Sequence, residues 1–416
     1  MNRVLDEEGV QKRLRVAYLF TQFPIPSQTF AVSDIEGLRN LGCEITVYTL
    51  KPSPKNLQEL NKTGGIPVDL PIDRPSIGGA TGWIRHLWTQ RRSALGLFLR
   101  AARNLPYAPA TSLGAILSIP RVLEVAEKID QSGADVAHIF WSRHQSMVLA
   151  ALADRESATV RSVFVGAYDL VAADFLVATG LENAEAAFTH ARANLPSIST
   201  IHEAAEPVVI HRGIPLPDWQ HTPARDREPL WLSAGSLTPD KNFEAVIQAF
   251  ARARATHSGL RLEIYGEGPH RAKLEALAER LGCQDSIDFF GHIPRATLMR
   301  RMTQARAFIL LSTKLSERLP NVVKEALWAG CVVIVSKTPG IEELVSGNFG
   351  HIVDLEDPAS LDRAIAGALD EDFGAADARA MAAREMIEKD FAATPQMSRY
   401  VDEWRSKIQL RNGSGR

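Results

Sequence analysis

The sequence predicts an α/β protein of two domains, each a parallel β-sheet covered by helices on both faces. The chain has 416 residues, more than one hydrophobic core usually supports. In both halves, short apolar runs rich in β-formers alternate with segments of helical periodicity, as in parallel sheets with crossover helices. A turn-rich run from Gly213 to Pro229 separates the halves, so we place the boundary near residue 222.

Three regions follow from this boundary. Residues 1–222 are expected to form the first domain and residues 223–375 the second. Residues 376–416 are a long amphipathic region that we expect to pack back on the first domain, ending in a disordered tail from Asn412 to Arg416.

Composition limits the functions open to the chain. Hydrophobic residues at 45% and charged residues at 23% are typical of globular proteins, and a formal net charge of -2 argues against a nucleic-acid binder. The polar, acidic N-terminus does not resemble a signal peptide, and no apolar run approaches the ~18 residues of a transmembrane helix. Three scattered cysteines, Cys43, Cys283 and Cys331, fit a reducing compartment. We therefore expect a cytosolic protein.

The first half begins with a βαβ unit. Its strands are predicted at 14–20 and 44–50, on either side of a helix from Phe30 to Leu41. Residues 51–82 are rich in Pro, Gly and Asp and give no fold signal. Further strands are predicted at 135–140, 160–165, 186–189 and 207–210, with helices from Ser142 and Tyr168.

The second half repeats this order more regularly. Strands are predicted at 230–234, 260–265, 286–290, 307–312, 331–336 and 350–353, and helices begin near Asn242, Pro269, Arg295, Val322, Ile341 and Ser360. In such sheets, ligands bind outside the carboxyl ends of the strands, where helix N-termini offer unpaired N–H groups.

The segment from Arg74 to Leu123 contains no acidic residue, whereas arginines alternate there with large apolar side chains. Two interpretations are open. The segment is either an interfacial surface that meets anionic lipid or a lipid-linked phosphate, or a solvated helix face packed on its own domain.

The stretch from Glu317 to Glu325 places two carboxylates eight positions apart, across a loop and the start of a helix. Pro320, Asn321 and Val322 lie between them, where a predicted strand ends and a helix begins. The unpaired N–H groups of a helix start can bind a phosphate group. Each carboxylate alone has an ordinary explanation, exposure in a loop for Glu317 and complementation of the helix dipole for Glu325. Together, at the end of a strand, they indicate a ligand site.

Two further loops follow strands of the second half. Lys241 is predicted beside a helix N-terminus, where its ammonium group meets a diphosphate or is simply solvated. Gly266 either lets the backbone approach a ligand or forms a plain tight turn, and the third glycine of a dinucleotide fingerprint is missing.

Other chemical motifs are weaker. Asp370-Glu371-Asp372 matches a metal-holding Asp-x-Asp in form, but we interpret it as solvated charge at a helix end. His138 closes an apolar strand and is more typical of a hydrogen-bonded core histidine than of a catalyst. We keep it as a minor candidate.

In order and spacing, these motifs resemble those of the retaining glycosyltransferases of family 4, the glycosyl transferases group 1 set with the GT-B fold. The resemblance is strongest from Trp231 to Val353, through the Gly-x-Leu…Lys loop, the Gly-Glu-Gly-Pro turn, Phe290-Gly291 and the Glu-x7-Glu segment. The first half is similar, more loosely, to the exopolysaccharide branch, through Phe23-Pro24 with Ser27-Gln28-Thr29-Phe30 and through Tyr168-Asp169.

The resemblance implies two Rossmann-like domains facing a central cleft, and a metal-independent transfer of a hexose from a nucleotide diphosphate sugar with retention. It implies that Glu317 is the catalytic residue on the donor sugar, that Glu325 binds the ribose, and that Lys241 holds the diphosphate. The donor side would be completed by Ser236, Gly266, Arg318, Pro320, Asn321 and Val322. The acceptor side would comprise His138, Gly166, Tyr168 and Asp169.

The chain departs from the family pattern at three positions. Ser236 stands where the family usually has an arginine, Gly166 where many members have a histidine, and Arg318 where a glycine commonly follows the first glutamate. We hypothesise that Arg318 supplies the missing cation, because a guanidinium can bind phosphate with two hydrogen bonds.

We therefore expect a glycosyltransferase of bacterial exopolysaccharide or lipopolysaccharide assembly. Its partners would be a nucleotide sugar and a glycan or lipid-linked acceptor, without metal or cofactor, and residues 74–123 would place it at the inner face of the cell membrane. The alternative is a non-catalytic family member that binds a nucleotide sugar or a partner enzyme, suggested by Ser236 and Gly166. A nicotinamide-dependent dehydrogenase is opposed by the absent fingerprint.

Overall fold

The computed structural model describes residues 13–25, 29–52, 69–75, 80–172, 174–345 and 349–414. The polar leader, Ser27 and Gln28, and most of the excursion predicted over 51–82 lie outside the described residues. The chain divides into two units, Met1–Pro215 with Ala393–Arg416, and Leu216–Ala392.

In the described part of the first unit, seven parallel strands form one sheet in the order β3-β2-β1-β4-β5-β6-β7. The strands are β1 Arg15–Phe20, β2 Glu44–Thr49, β3 Ile72–Asp73, β4 Val136–Phe140, β5 Val160–Phe164, β6 Ala186–Thr189 and β7 Val208–Val209. The strand order reverses between β1 and β4, which makes this the topological switch point of the sheet.

Helices cover both faces of this sheet, which explains why strands such as β4 are buried along their whole length. They are α1 Thr29–Asn40, α2 Ala80–Thr89, α3 Arg91–Arg103, α4 Pro109–Ser132, α5 Ser146–Asp154, α6 Ala167–Ala172, α7 Phe175–Asn183 and α8 Leu195–Ile201.

The second unit has six parallel strands among its described residues, in the order β10-β9-β8-β11-β12-β13. They are β8 Glu228–Ala234, β9 Arg261–Tyr265, β10 Ile287–Gly291, β11 Ala305–Leu310, β12 Val332–Ser336 and β13 Gly350–Val353. Its helices are α9 Phe243–Thr256, α10 Arg271–Arg280, α11 Arg295–Met302, α12 Asn321–Ala329, α13 Pro358–Asp370 and α14 Phe373–Asp390. The helix expected near Ile341 is only a short 3-10 turn, Ile341–Glu343.

The boundary between the units falls at Pro215–Leu216 rather than near residue 222. The reason is that the turn-rich residues after Leu216 bind the second unit. Arg384 donates a hydrogen bond to the carbonyl of Trp219, and His221 Nε2 lies 3.0 Å from Asp377 Oδ1.

The C-terminal region splits between the units, because α14 belongs to the second unit and α15, Ala393–Ser414, to the first. The disordered tail expected from Asn412 is wrong as far as Ser414, which still lies in α15. Trp404, fully buried, anchors this helix, and extending an anchored helix adds one hydrogen bond per residue.

His138 lies in the core of the first unit and is 2% exposed. Its Nδ1 is 2.8 Å from Ser162 Oγ, which also accepts a hydrogen bond from Trp404 Nε1 at 2.9 Å. Burial lowers the pKa of His138 to about 3, so the ring is neutral at physiological pH. This placement corresponds to a core histidine and gives His138 no surface for an acceptor.

We expect Ser162→Ala to lower the free energy of unfolding by about 1–3 kcal/mol, because a buried ring nitrogen and a buried indole N–H both lose their partner. Urea unfolding followed by tryptophan fluorescence measures this change. The matched control is Ser258→Ala, at an exposed serine. An equal effect of both substitutions would show that the Ser162 hydrogen bonds do not stabilise the fold.

Candidate donor and acceptor sites

The switch point of the second sheet lies between β8 and β11. The loops that leave the carboxyl ends of these strands are joined at the carbonyl of Asp240, which accepts hydrogen bonds from Thr313 N at 2.8 Å and from Ser312 Oγ at 3.1 Å. This junction brings Lys241 and Glu317 together as an ion pair between Nζ and Oε1. Both side chains are only 16% exposed.

The second carboxylate oxygen of Glu317, Oε2, is buried and has no hydrogen-bond partner in the described protein. A buried oxygen without a donor costs free energy, about 1–3 kcal/mol or more for a charged group. A ligand hydroxyl that reached this oxygen would supply the missing donor. The arrangement is therefore suited to binding a polyhydroxylated molecule.

The N-terminus of α12 follows directly after Glu317 and Arg318. Asn321 is its first residue, Pro320 precedes it, and no side chain caps the helix. The first N–H groups of a helix have no partner within the helix and carry a partial positive charge. Asn321 is exposed, so an anion can approach this end of the helix.

Glu325 lies one turn inside the same helix and is 5% exposed. Burial raises the pKa of Glu325 above its ordinary value, against the opposing charge of Arg295, whose Nε is 2.6 Å from Oε1. Arg295 could not be identified from the sequence, because it lies thirty positions before Glu325 on another helix and only the fold joins the two.

Lys324 is a second charged residue that the sequence did not single out. It is 1% exposed, its Nζ is 3.0 Å from Asn321 Oδ1, and it lies 5.4 Å from the centroid of the Phe391 ring. Its position among the apolar residues Val322, Val323 and Leu327 is the sequence feature that could have indicated a buried lysine. Its charge adds to the positive potential beneath the first turn of α12.

Gly266 has φ +133° at the end of β9, and a Cβ there would lie 1.9 Å from the carbonyl oxygen of Gly235. Its N–H donates to the carbonyl of Gly291 at 2.8 Å. Gly266 is thus required for the tight packing of the β8 and β9 loops, in agreement with the tight-turn interpretation.

Ser236 and Arg318, the two donor-side positions that depart from the family pattern, lie on different loops of the second unit. Ser236 is exposed in the loop after β8. Arg318 is half-buried, and its Nη1 lies 3.5 Å from the carbonyl of Pro339 in the loop after β12. Burial lowers the pKa of Arg318, and Glu342 and Glu343 oppose this effect.

The remaining acceptor-side candidates meet at the carboxyl end of β5, within the first unit. Gly166 N–H donates to Asp169 Oδ2 at 2.8 Å, and the adjacent Tyr168 is 60% exposed. A Cβ on Gly166 would lie 3.3 Å from the Phe164 ring and 3.5 Å from Trp141 Nε1, so the position is tightly enclosed.

Asp169 is fully buried, and its Oδ1 has no hydrogen-bond partner among the described residues. Arg143, which the sequence did not single out, places its Nε 3.7 Å from this oxygen. Burial raises the pKa of Asp169 to about 7.

The acidic triplet at the start of α14 has structural partners. Glu371 pairs with Arg379, and Asp372 caps the helix by accepting hydrogen bonds from Gly374 N and Ala375 N. Among the described residues, no group of three or more His, Cys, Asp or Glu side chains is arranged to hold a metal ion.

Two doubly wound parallel sheets, each with its own switch point, define the GT-B fold, and solved structures confirm this fold class. Anabaena HepE, determined with UDP and glucose, superposes with a TM-score of 0.65 at 15% identity over 95% of this chain and 100% of that one. Sucrose-phosphate synthase from Thermosynechococcus elongatus gives 0.66 at 17% identity over 96% and 100%. At such identities the likeness shows the fold alone.

The family is indicated by residues 218–386, which match the profile described as Glycosyl transferases group 1. The resemblance of the segment between Trp231 and Val353 to the glycosyl transferases group 1 set is therefore confirmed, whereas membership of family 4 and retention stay predictions. The matched segment contains every residue predicted on the donor side.

Curated relatives match over part of their length. An exopolysaccharide phosphotransferase of Streptomyces coelicolor is 37% identical over 31% of this chain and 14% of its own. Glycogen synthase of Mycobacterium tuberculosis is 33% identical over 45% of each chain. A putative colanic acid biosynthesis glycosyltransferase of Salmonella typhimurium is 28% identical over 38% of this chain and 41% of its own. The chain thus spans less than half the length of these relatives.

The substitution Asp169→Asn tests the raised pKa of the buried carboxyl through the pH dependence of the unfolding free energy. The pKa of Asp169 is raised to about 7 on folding. At a pH between the ordinary pKa of an aspartate and about 7, the folded protein therefore keeps this carboxyl protonated, whereas the unfolded chain has lost the proton. The stability that wild type gains from this proton is therefore complete below that window and is lost as the pH rises through it. Asparagine keeps an acceptor for Gly166 N–H, so we expect the difference in unfolding free energy, wild type minus variant, to fall between about pH 4 and about pH 8.

Urea unfolding across this range measures the difference, and Asp226→Asn, at an exposed carboxyl, is the control. A difference that does not change with pH would contradict the raised pKa of Asp169.

Proposed function

We propose that the protein transfers a sugar, with retention of anomeric configuration, from a nucleotide diphosphate sugar to a glycan or lipid-linked acceptor in bacterial surface polysaccharide biosynthesis. The observation that carries the proposal is the Lys241–Glu317 pair at the switch point, with Glu317 Oε2 buried and lacking a partner. A cation, a helix N-terminus and an unpaired carboxylate oxygen lie within one loop cluster, and these groups match a diphosphate joined to a sugar.

On the donor side, each group takes the part of the ligand that its chemistry suits. Lys241 and the first N–H groups of α12 bind the diphosphate, Glu317 accepts hydrogen bonds from sugar hydroxyls, and Glu325 accepts hydrogen bonds from the ribose. Arg295 and Lys324 orient these groups, since one fixes the Glu325 carboxylate and the other binds the Asn321 side chain. The proposal requires no metal, because the lysine and the helix N-terminus offset the charge that develops on the leaving diphosphate.

The transfer step is a substitution at the anomeric carbon. The bond from this carbon to the diphosphate oxygen breaks with its electron pair on the diphosphate, and a bond forms to the acceptor oxygen on the same face. The acceptor's proton passes to the diphosphate. Glu317 stabilises the positive charge that develops on the sugar ring in the transition state.

The acceptor and the biological role rest on the first unit and on the relatives. Gly166, Tyr168 and Asp169 are the proposed acceptor contacts, and the relatives named for exopolysaccharide and colanic acid support the polysaccharide assignment. The UDP and glucose of Anabaena HepE suggest uridine and glucose as the first donor to test. We propose that the protein acts in the cytoplasm, at the inner face of the cell membrane.

A non-catalytic protein that binds nucleotide sugar or a partner enzyme is the second candidate. One observation favours it: Ser236 is exposed where the family carries an arginine, and Arg318 lies against Pro339 on a different loop. Turnover of labelled donor separates the two functions.

The central test replaces the two residues of the ion pair. We expect Lys241→Met and Glu317→Gln each to lower sugar transfer about 100-fold or more, because each removes a group that acts on charge developed in the transition state. A panel of labelled nucleotide sugars, with transfer and hydrolysis as the readouts, measures turnover, and thermal shift measures donor binding.

The control is Lys273→Met, which removes a lysine from the surface of the same unit, where it pairs with Glu244. Wild type that binds a donor but neither transfers nor hydrolyses it across the panel would favour the non-catalytic candidate. Equal activity of Lys241→Met and Lys273→Met would overturn the assignment of Lys241.

Arg318 is tested by comparing Arg318→Ala with Arg318→Lys. If its guanidinium reaches the diphosphate when donor binds, we expect alanine to weaken donor binding about tenfold and lysine to weaken it less, since lysine keeps the charge but loses the two-pronged geometry. Donor titration by calorimetry measures both. If alanine at 318 left affinity and turnover intact while Lys241→Met abolished them, Arg318 would not replace the missing cation.

A further inference from the structure

An unusual concentration of exposed apolar side chains lies on α2, α3 and the first half of α4. Of the eighteen large hydrophobic residues that are exposed in the described part of the chain, ten fall between residues 84 and 117. Single exposed hydrophobic residues are normal, but contiguous groups of them mark interaction sites. The three helices pack on one another, so these side chains belong to one surface of the first unit.

α3 shows this feature most clearly, because it is apolar on two faces. Its inner face buries Ser93, Leu97 and Ala101 against the domain. Its outer face carries Leu95, Phe98 and Leu99, which are 58%, 45% and 44% exposed. A helix that only covered its own sheet would have polar residues on that outer face.

The neighbouring segments continue the same surface. Trp88 on α2 is 77% exposed, Tyr107 in the turn between α3 and α4 is 87% exposed, and Leu117 on α4 is 73% exposed. Tryptophan and tyrosine side chains have an apolar body and a polar tip, and they are enriched where membranes meet water.

Three arginines at the edge of this surface have no acidic partner among the described residues. Arg91, Arg92 and Arg103 are exposed and form no ion pair within the described residues. Arg155, which shares a groove with Arg91, Arg92 and Trp88, is paired with Asp130 at 3.1 Å, and Arg100 of α3 is paired with Glu182. On α4, the Glu127 carboxylate lies 3.0 Å from His86 Nδ1 and 4.0 Å from Arg85 Nη2. Unpaired arginines beside apolar side chains complement an anionic, apolar partner.

We propose that the outer face of α2, α3 and the first half of α4, named here the apolar–arginine surface, binds the surface of an anionic lipid bilayer. Leu95, Phe98 and Leu99 enter the boundary between head groups and acyl chains, and Arg91, Arg92 and Arg103 bind lipid phosphates. None of the described helices combines the length and apolar character needed to cross a membrane. The proposal corresponds to the interfacial interpretation of residues 74–123.

The experiment is flotation of the full chain with vesicles of phosphatidylcholine alone and of phosphatidylcholine with phosphatidylglycerol. Wild type is expected to bind the anionic vesicles about tenfold or more tightly than the neutral ones, and added salt weakens this binding. Leu95→Gln with Phe98→Gln, and separately Arg91→Glu with Arg92→Glu, are each expected to reduce anionic-vesicle binding about tenfold or more.

The matched control is Leu281→Gln with Met381→Gln, which changes two residues of comparable exposure, 43% and 51%, in the second unit. The proposal is overturned if wild type does not bind anionic vesicles at low salt, or if the control variant loses as much binding as Leu95→Gln with Phe98→Gln. It is also overturned if wild type forms a concentration-dependent dimer that these two substitutions abolish while vesicle binding is absent.

This inference deepens the proposed function by naming the surface on which a lipid-linked acceptor is met, but the two can fail separately. Donor hydrolysis or transfer to a water-soluble acceptor is expected to be unchanged in Leu95→Gln with Phe98→Gln, because neither side chain is part of the donor site. Vesicle binding without any turnover would refute the transferase and leave the surface in place.

Discussion

The ion pair between Lys241 and Glu317 is the contact on which the proposed donor site depends. It joins the loops that leave two adjacent strands, β8 and β11, and it forms because the Asp240 carbonyl holds these loops together. The pair neutralises only one oxygen of Glu317 and leaves the other buried without a donor. A buried carboxylate oxygen without a donor is unfavourable. In the proposed function, a hydroxyl group of the donor sugar supplies the missing hydrogen bond.

The same site contains buried charged residues whose partners cannot be recognised from the sequence. Glu325 is buried and depends on Arg295 from the preceding helix, and Lys324 is buried beneath the first turn of α12. Removing one partner from a buried charged contact costs more than the contact contributes, because the remaining charge stays in a low dielectric. Arg295 and Lys324 therefore limit which substitutions the donor site can tolerate, although neither belongs to the motif itself.

The first unit has apolar side chains both in its core and on part of its exposed surface. Aromatic side chains surround His138 in part of its core, and the Ser162 hydroxyl joins His138 to Trp404 of α15. One covering helix, α3, also carries apolar side chains on its outer face. In the proposed membrane contact, this apolar outer face and the arginines at its edge meet the bilayer.

The sequence by itself determined the fold class and most of the elements. Apolar runs with sharp glycine and proline boundaries are local signals, so every strand predicted in the second half is present within about two residues, as is usual for element ends. The Glu317 to Glu325 stretch was also recognisable, because its spacing follows from a loop and a helix start.

Only the tertiary structure decided which groups meet. It paired Lys241 with Glu317 and Arg295 with Glu325, and it assigned α14 and α15 to different units. These outcomes depend on strand order and on burial, which arise from contacts between residues far apart in the chain. Local periodicity carries no information about such contacts, and this is why the motif was predictable whereas its partners were not.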